Sequence, residues 1–237
     1  MTLLKKKVIS LIAAGSMVIT AFSGMTVAAS AETASTDATV ITSLSQITDM
    51  AGDYVLGDSV TIDASEWTPI GTEAVPFTGS LDGDGYTVTW TGSKTLAGSY
   101  FGIFGLSQGT VSDLTVVGTL TVTGSGNSDY VSPVVAYNAG QIENVTNNAA
   151  LTVTGCYNIA GIAGFNAGTV TDCTNNGVIS SDSPKAGGIA GENAGTITGC
   201  SNTALITNSY SRKGGVGGIA GRNGDNNEPT ETGIIKN

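Results

Sequence analysis

The side chains that could carry chemistry in this chain are few and unevenly placed. Histidine is absent from all 237 residues. That excludes a Ser-His-Asp triad, a Cys-His dyad and an H-E-x-x-H zinc protease motif within the chain. Glycoside hydrolysis needs two carboxylates facing one sugar, ~5–10 Å apart. The best local candidates are Asp82 with Asp84, and the group Asp58, Asp63 and Glu66. Asp82 and Asp84 lie in Asp-Gly-Asp-Gly, which reads first as a hairpin turn. The same run lacks the alternating ligands and distal Glu of an EF-hand calcium loop. A lyase would also need a base or a neutralising cation. Beyond residue 31 the whole supply is Lys94, Lys185, Arg212, Lys213, Arg222 and Lys236. Arg212, Lys213 and Arg222 cluster near the C-terminus and read as a solvated loop rather than a site. No catalytic, cofactor-binding or metal-ligating residue is assigned on this basis, and a non-enzyme is expected. The competing reading is a polysaccharide-active lyase or hydrolase.

Three cysteines remain, Cys156, Cys173 and Cys200. An odd count is no disulfide framework, and the spacing matches no zinc motif. Acidic residues outnumber basic ones 19 to 9, for a formal net charge of −10. A surface of that sign repels polyanions, so nucleic acid is not an expected partner.

The N-terminus reads as an export signal. Lys5, Lys6 and Lys7 precede an apolar stretch from Val8 to Val27, which ends in Ala29-Ser30-Ala31, an A-x-A cleavage pattern. About 20 apolar residues could also anchor in a membrane, but Ser10, Ser16, Thr20 and Ser23 interrupt this run and favour cleavage. The expected signal peptide is 1–31, with no membrane partner after its removal. The remainder carries 6 basic and 19 acidic side chains, a net of −13.

The elements that must position everything else are repeats. Gly161-Ile162-Ala163-Gly164-Phe165-Asn166-Ala167-Gly168-Thr169-Val170 aligns with Gly188-Ile189-Ala190-Gly191-Glu192-Asn193-Ala194-Gly195-Thr196-Ile197. Further copies begin at Gly102-Ile103 and Gly218-Ile219, and a degenerate one lies at Pro133-Val134-Val135-Ala136. The apolar pieces Gly161–Phe165, Thr169–Cys173 and Val178–Ser180 are short and rich in Ile, Val and Thr. The segments between them, Asn-Ala-Gly and Thr-Asn-Asn-Gly, are turn chemistry. No single copy could bury its apolar side alone. Stacked at ~4.8 Å, the copies form an all-β parallel β-solenoid with three short strands per coil.

Four apolar columns follow: Ile103/Val134/Ile162/Ile189/Ile219, Val111/Ile142/Val170/Ile197, Leu114/Val145/Cys173/Cys200 and Leu120/Leu151/Ile179/Ile206. Two cysteines thus fill a column held elsewhere by Leu and Val and read as small buried hydrophobes. In-register stacking makes a bond between them hard to form. Cys156 reads as a free thiol in a turn. Asn138, Asn166, Asn193 and Asn223 form a ladder expected to satisfy turn carbonyls. No acidic residue recurs in register: Asp113 and Asp172 share a position with Asn144 and Gly199. Pro133 removes a ladder donor, so its coil should pair imperfectly. Thr121, Thr123, Thr152 and Thr154 suggest an ice-binding array, but they occur in only two adjacent coils, and strand alternation explains them better.

The repeated Gly-Ile-Ala-Gly followed by Asn-Ala-Gly-Thr resembles the GLUG-motif repeat of bacterial secreted and surface proteins. The upstream Trp67-Thr68-Pro69-Ile70-Gly71 and Pro76-Phe77-Thr78-Gly79-Ser80-Leu81-Asp82-Gly83 fit the segment that precedes those repeats. The resemblance covers roughly Tyr54 to the C-terminus. It implies a single-stranded, right-handed parallel β-helix in a secreted or cell-surface bacterial protein, often adhesin-like. Some relatives are immunoglobulin-A-cleaving metallopeptidases, but their zinc motif has no counterpart here. The expected organisation is a signal peptide at 1–31, a strand-rich cap at 32–97 and GLUG-like β-helix repeats at 98–237, the last coil incomplete. Gly233-Ile234-Ile235 matches the opening of a further middle strand, which suggests further repeats of a longer chain. The expected function is a non-catalytic adhesin-like binding surface or structural stalk. It would contact a host or matrix glycan or protein through loops at Ser125–Tyr130, Ser181–Lys185 and Asn208–Lys213.

Overall fold

The computed structural model describes residues 38–124, 129–212, 214–224 and 233–236. The expected signal peptide lies outside them. The described residues are almost wholly β, and their one helical turn is a 3-10 turn at Leu44–Gln46. No helix among them is long and apolar enough to cross a membrane.

One coil shows the pattern. Its strands are Asn158–Ala160, Ala163–Asn166, Thr169–Thr171, Thr174–Asn175 and Ile179–Ser181. The next coil repeats them as Lys185–Gly187, Ala190–Asn193, Thr196–Thr198, Ser201–Asn202 and Ile206–Asn208. Every strand pairs in parallel with its copy one coil away, which makes the chain a parallel β-solenoid. We number the stacked ladders I to V in the order given. The three strands expected per coil are ladders II, III and V. The coil holds five pieces rather than three, because Asn158–Ala160 and the two-residue Thr174–Asn175 also pair, although each is too short to stand out in the sequence.

Ladder III is the deepest, with eight strands from Thr39–Ile41 to Ile234–Lys236. The segment read as a cap is part of this stack. Asp53–Leu56 pairs with Ser80–Asp82, which pairs with Thr110–Ser112. Ladders IV and V merge into one ten-stranded sheet through the long strand Thr115–Thr123. The 3-10 turn follows the first strand of ladder III. Gln46 Oε1 accepts from the Ser43 amide at 3.0 Å, and Leu44 and Ile47 pack into the core.

The four apolar columns run through the core, although their last members Ile219, Cys200 and Ile206 are only partly buried. Ile103, Val134, Ile162 and Ile189 are fully buried, as are Val111, Val170, Val145, Cys173, Leu120 and Ile179. The Val111 column continues to Leu81 on one side and to Ile235 on the other, and Ile234 aligns with Thr196 as its preceding glycine predicts. Thr121 and Thr123 are exposed while Leu120 and Val122 are buried, so alternation accounts for the Thr pairs.

Both glycines of Gly-Ile-Ala-Gly are there for close approach. A Cβ on Gly161 would strike the Asn175 side chain and lie 2.6 Å from the Gly188 carbonyl. A Cβ on Gly164 would lie 2.6 Å from the Ala136 carbonyl and 3.0 Å from the Val131 amide. The first glycine admits the asparagine of another ladder, and the second lets ladders I and II fold tightly against each other. Pro133 lacks the amide that Gly161, its equivalent one coil on, donates to the Gly188 carbonyl. Its coil's ladder I strand, Tyr130–Val131, is as short as Tyr100–Phe101 in the coil before, and its ladder II strand pairs on both sides. Beside Pro133 the Ser132 hydroxyl accepts from the Val134 amide at 3.1 Å and donates to the Ile162 carbonyl at 2.7 Å, which also accepts from the Val135 amide at 3.1 Å. The Pro133 carbonyl accepts from Trp90 Nε1 at 2.9 Å.

Candidate binding clefts

The acidic candidates resolve into turns. Asp82 Oδ1 accepts from the Asp84 amide at 2.7 Å, and Asp58 Oδ1 from the Ser59 amide at 2.7 Å. The Asp82–Gly85 turn is not a hairpin. Ser80–Asp82 and Thr87–Thr91 pair with different ladders, so the turn is a corner of the coil. Asp84 at φ 44° and Gly85 at φ 78° supply its left-handed residues. The recurring corner between ladders III and IV has the same chemistry. Asp113, Asn144 and Asp172 sit at φ 51–52° and Gly199 at φ 64°. That conformation is cheap only for Gly, Asn and Asp, which is why this position mixes them.

Asp63 and Glu66 differ from the other acids because a cleft lies beside them. Ile70 and Phe77 bridge to Phe104 and Ser107, the ends of the first ladder II strand, and so pin the Trp67–Phe77 segment along the coil. Trp67 is half-buried, its Nε1 donates to the Gly102 carbonyl at 3.0 Å, and Lys94 Nζ donates to the Ser65 and Trp67 carbonyls at 3.0 and 3.1 Å. Between this segment and the 3-10 turn lies a cleft of about 520 Å³, lined by Leu44, Ile47, Met50, Trp67, Pro69 and Val75, with Glu66 among its polar groups. A smaller recess of about 150 Å³ includes Asp63, Glu66 and Trp67. Ser65 Oγ lies 2.9 Å from Asp63 Oδ1 and 3.3 Å from Glu66 Oε1, which brings the two carboxylates to one hydroxyl. The Ser65 amide and hydroxyl hold the exposed Asp63 carboxyl below the usual aspartate range.

A second cluster runs along the bend between ladders I and II. Tyr100, Tyr130, Asn158, Lys185 and Gly215 are in register on one side of it. Leu106, Tyr137, Phe165, Glu192 and Arg222 are in register on the other. The first coils fill the bend with rings. Tyr100 stacks on Tyr130 at 5.3 Å and Tyr137 on Phe165 at 4.8 Å, and Tyr130 meets Tyr137 edge-on. Their faces are spent on each other, so this is packing rather than an open platform for a ligand. Burial, with Glu73 nearby, raises the Tyr100 hydroxyl pKa.

The later coils fill the same bend with ions. Lys185 pairs with Glu192 Oε2, Arg222 Nη1 pairs with Glu192 Oε1 at 2.9 Å, and Asn158 Nδ2 donates to Glu192 Oε2 at 3.4 Å. Glu192 is 4% exposed and Lys185 9%. Lys185 Nζ also lies 4.8 Å from the Tyr157 ring centroid. Two expectations fail at this bend. Arg222 is no solvated loop residue but part of the strand Ala220–Asn223, held by Glu192. Ser181–Lys185 is no exposed contact loop, since Ser181, Ser183 and Lys185 are buried. Of the other loops named for contact, residues 125–128 and Lys213 lie outside the described residues, whereas Ser209, Ser211 and Arg212 are exposed.

The cysteines are free thiols. Cys156 is buried, and that burial, with Asp129 and Asp182 nearby, pushes its pKa up to about 12. A hydrogen bond with Cys200 and burial push Cys173 upward as well. Among the described residues no group of three His, Cys, Asp or Glu could hold a metal ion. Comparison with family models, with curated proteins and with solved structures finds no match for this chain.

Proposed function

We propose that this chain is a non-catalytic, exported repeat module of the GLUG type that works by contact outside the cell. The solenoid serves as stalk, and the cleft beside Trp67 serves as an adhesin-like binding surface. The single observation behind this reading is that cleft. At about 520 Å³ it is roomy, mostly apolar, and furnished with one half-buried tryptophan and a few polar groups. Concave apolar sites of this size with sparse polar groups are where small ligands and ligand segments bind. A tryptophan held through its Nε1 presents a rigid ring to the apolar face of a sugar or to an apolar peptide side chain. The expected export signal at 1–31 supports a place outside the cell. A glycan and host-matrix binding screen tests the reading. The wild-type chain is expected to retain at least one ligand, and Trp67→Ala is expected to lose it. Retention unchanged by Trp67→Ala contradicts the assignment of the cleft.

One observation favours the polysaccharide-active enzyme: Asp63 and Glu66 meet at one hydroxyl beside the same tryptophan. In that reading Asp63, held below the usual aspartate range, is the ionised partner and Glu66 the proton donor. Turnover of a polysaccharide that is abolished by Glu66→Gln would establish the enzyme reading.

A further inference from the structure

We propose that a second cleft, beside Lys185 and Arg222, is a subsite for the carboxylate of an acidic sugar residue. Tyr100, Tyr130, Asn158 and Lys185 each put a side chain into the bend, and the next position in the column is Gly215, where the Gly221 carbonyl occupies the place of a side chain. Beside these residues lies a cleft of about 300 Å³, lined by Tyr157, Pro184, Lys185, Gly214, Gly215 and Arg222.

Its charge is the reverse of the molecule's. Two cations converge on the single carboxylate of Glu192, which leaves one positive charge in excess in a chain of net charge −10. Donors are also in excess. An ammonium has three and a guanidinium five, while Glu192 takes one contact from each. The planar fork of Arg222 matches the two oxygens of a second carboxylate. Asn158 Oδ1 is buried beside the same carboxylate without a donor, so an acceptor is left over in the cluster. The site is small and polar, which suits one hydroxylated ring bearing an acid group and not an apolar ligand. Glu192 holds both cations in place before any ligand arrives, so little ordering cost is left for binding.

This subsite is independent of the Trp67 cleft, because different residues build it. The test is a titration of the isotope-labelled chain with sodium glucuronate, followed by two-dimensional NMR. Glucose, acetate and inorganic phosphate are run in parallel. Saturable shifts are expected at Tyr157, Lys185 and Arg222, with millimolar affinity for glucuronate and weaker binding of the other three probes. Arg222→Gln is expected to weaken glucuronate about tenfold. If that variant does not fold, the ranking of the four probes on the wild-type chain decides. Absence of saturable shifts overturns the proposal. So does glucose or acetate binding as tightly as glucuronate, which removes the acid or the sugar from the recognition, and so does tighter binding of phosphate, which makes the cleft a general anion contact. A folded Arg222→Gln that binds glucuronate as the wild type does overturns it as well.

Discussion

At the scale of single residues, the asparagines hold the interior corners. Asn138, Asn166, Asn193 and Asn223 pass hydrogen bonds from coil to coil at 2.7–2.8 Å, and Asn138 Nδ2 also donates to the Thr169 carbonyl at 3.1 Å. A second ladder, Asn147, Asn175 and Asn202, does the same at 2.8 and 2.7 Å. These side chains stand in for backbone partners where the strands turn; Asn138, Asn147, Asn166, Asn175 and Asn193 are fully buried, whereas Asn202 is half-buried and Asn223 exposed. Asn166→Ala strands donors and acceptors on both sides and should cost about 2–3 kcal/mol, read by denaturant unfolding. Cys156 gives a prediction in pH. Its folded pKa of about 12 lies above the ordinary thiol value of 9.0, so the folded state keeps a proton that the unfolded state releases. Its contribution to stability is therefore complete below pH 9 and is lost as pH rises through 12. Unfolding midpoints followed from about pH 8 upward should fall less steeply for Cys156→Ala than for the wild type.

At the scale of elements, spacing between ladders decides which substitutions are tolerated. Gly191 repeats the role of Gly164, and a Cβ there would lie 2.6 Å from the Gly164 carbonyl and 2.7 Å from the Ile159 amide. These are backbone atoms that cannot turn aside. Gly191→Ala should destabilise by about 1–3 kcal/mol, as overpacking does. Ser132→Ala removes a buried hydroxyl that bonds the Ile162 carbonyl and the Val134 amide and should cost about 1–2 kcal/mol by the same measurement. Much of this level is legible in the sequence. The columns of Ile, Val, Leu and Cys and the Asn138 ladder can be read because one residue class recurs every 27–31 residues. The Asn147 ladder lies in the same repeats, inside what reads only as Thr-Asn-Asn-Gly turns. The bend between ladders I and II is hidden for a different reason. Its positions hold Tyr, Asn, Lys and Gly in one column and Leu, Tyr, Phe, Glu and Arg in the other, so no residue type runs through either. Only the pairing of neighbours shows that rings meet rings and ions meet ions. The signal is in the alignment of Phe165, Glu192 and Arg222, three residues after each leading Ile.

At the scale of the whole molecule, the repeats build a stack whose ladders are parallel throughout. One cleft lies where the Trp67–Phe77 segment runs against ladder II, and the other beside Lys185 and Arg222 at the bend between ladders I and II. The first cannot be read from Trp67 and Glu66 alone, because the Leu44–Gln46 turn that completes it is distant in sequence and its packing is tertiary. If the molecule works by contact, it holds a ligand at the Trp67 cleft without altering it. The decisive experiment incubates the purified wild-type chain to equilibrium with a polysaccharide it retains and then sizes the recovered polysaccharide by mass spectrometry. A binding module leaves the ligand at its original length, bound by the wild type and not by Trp67→Ala. Shortened chains or new unsaturated ends, formed by the wild type and absent with Glu66→Gln, would show an enzyme instead.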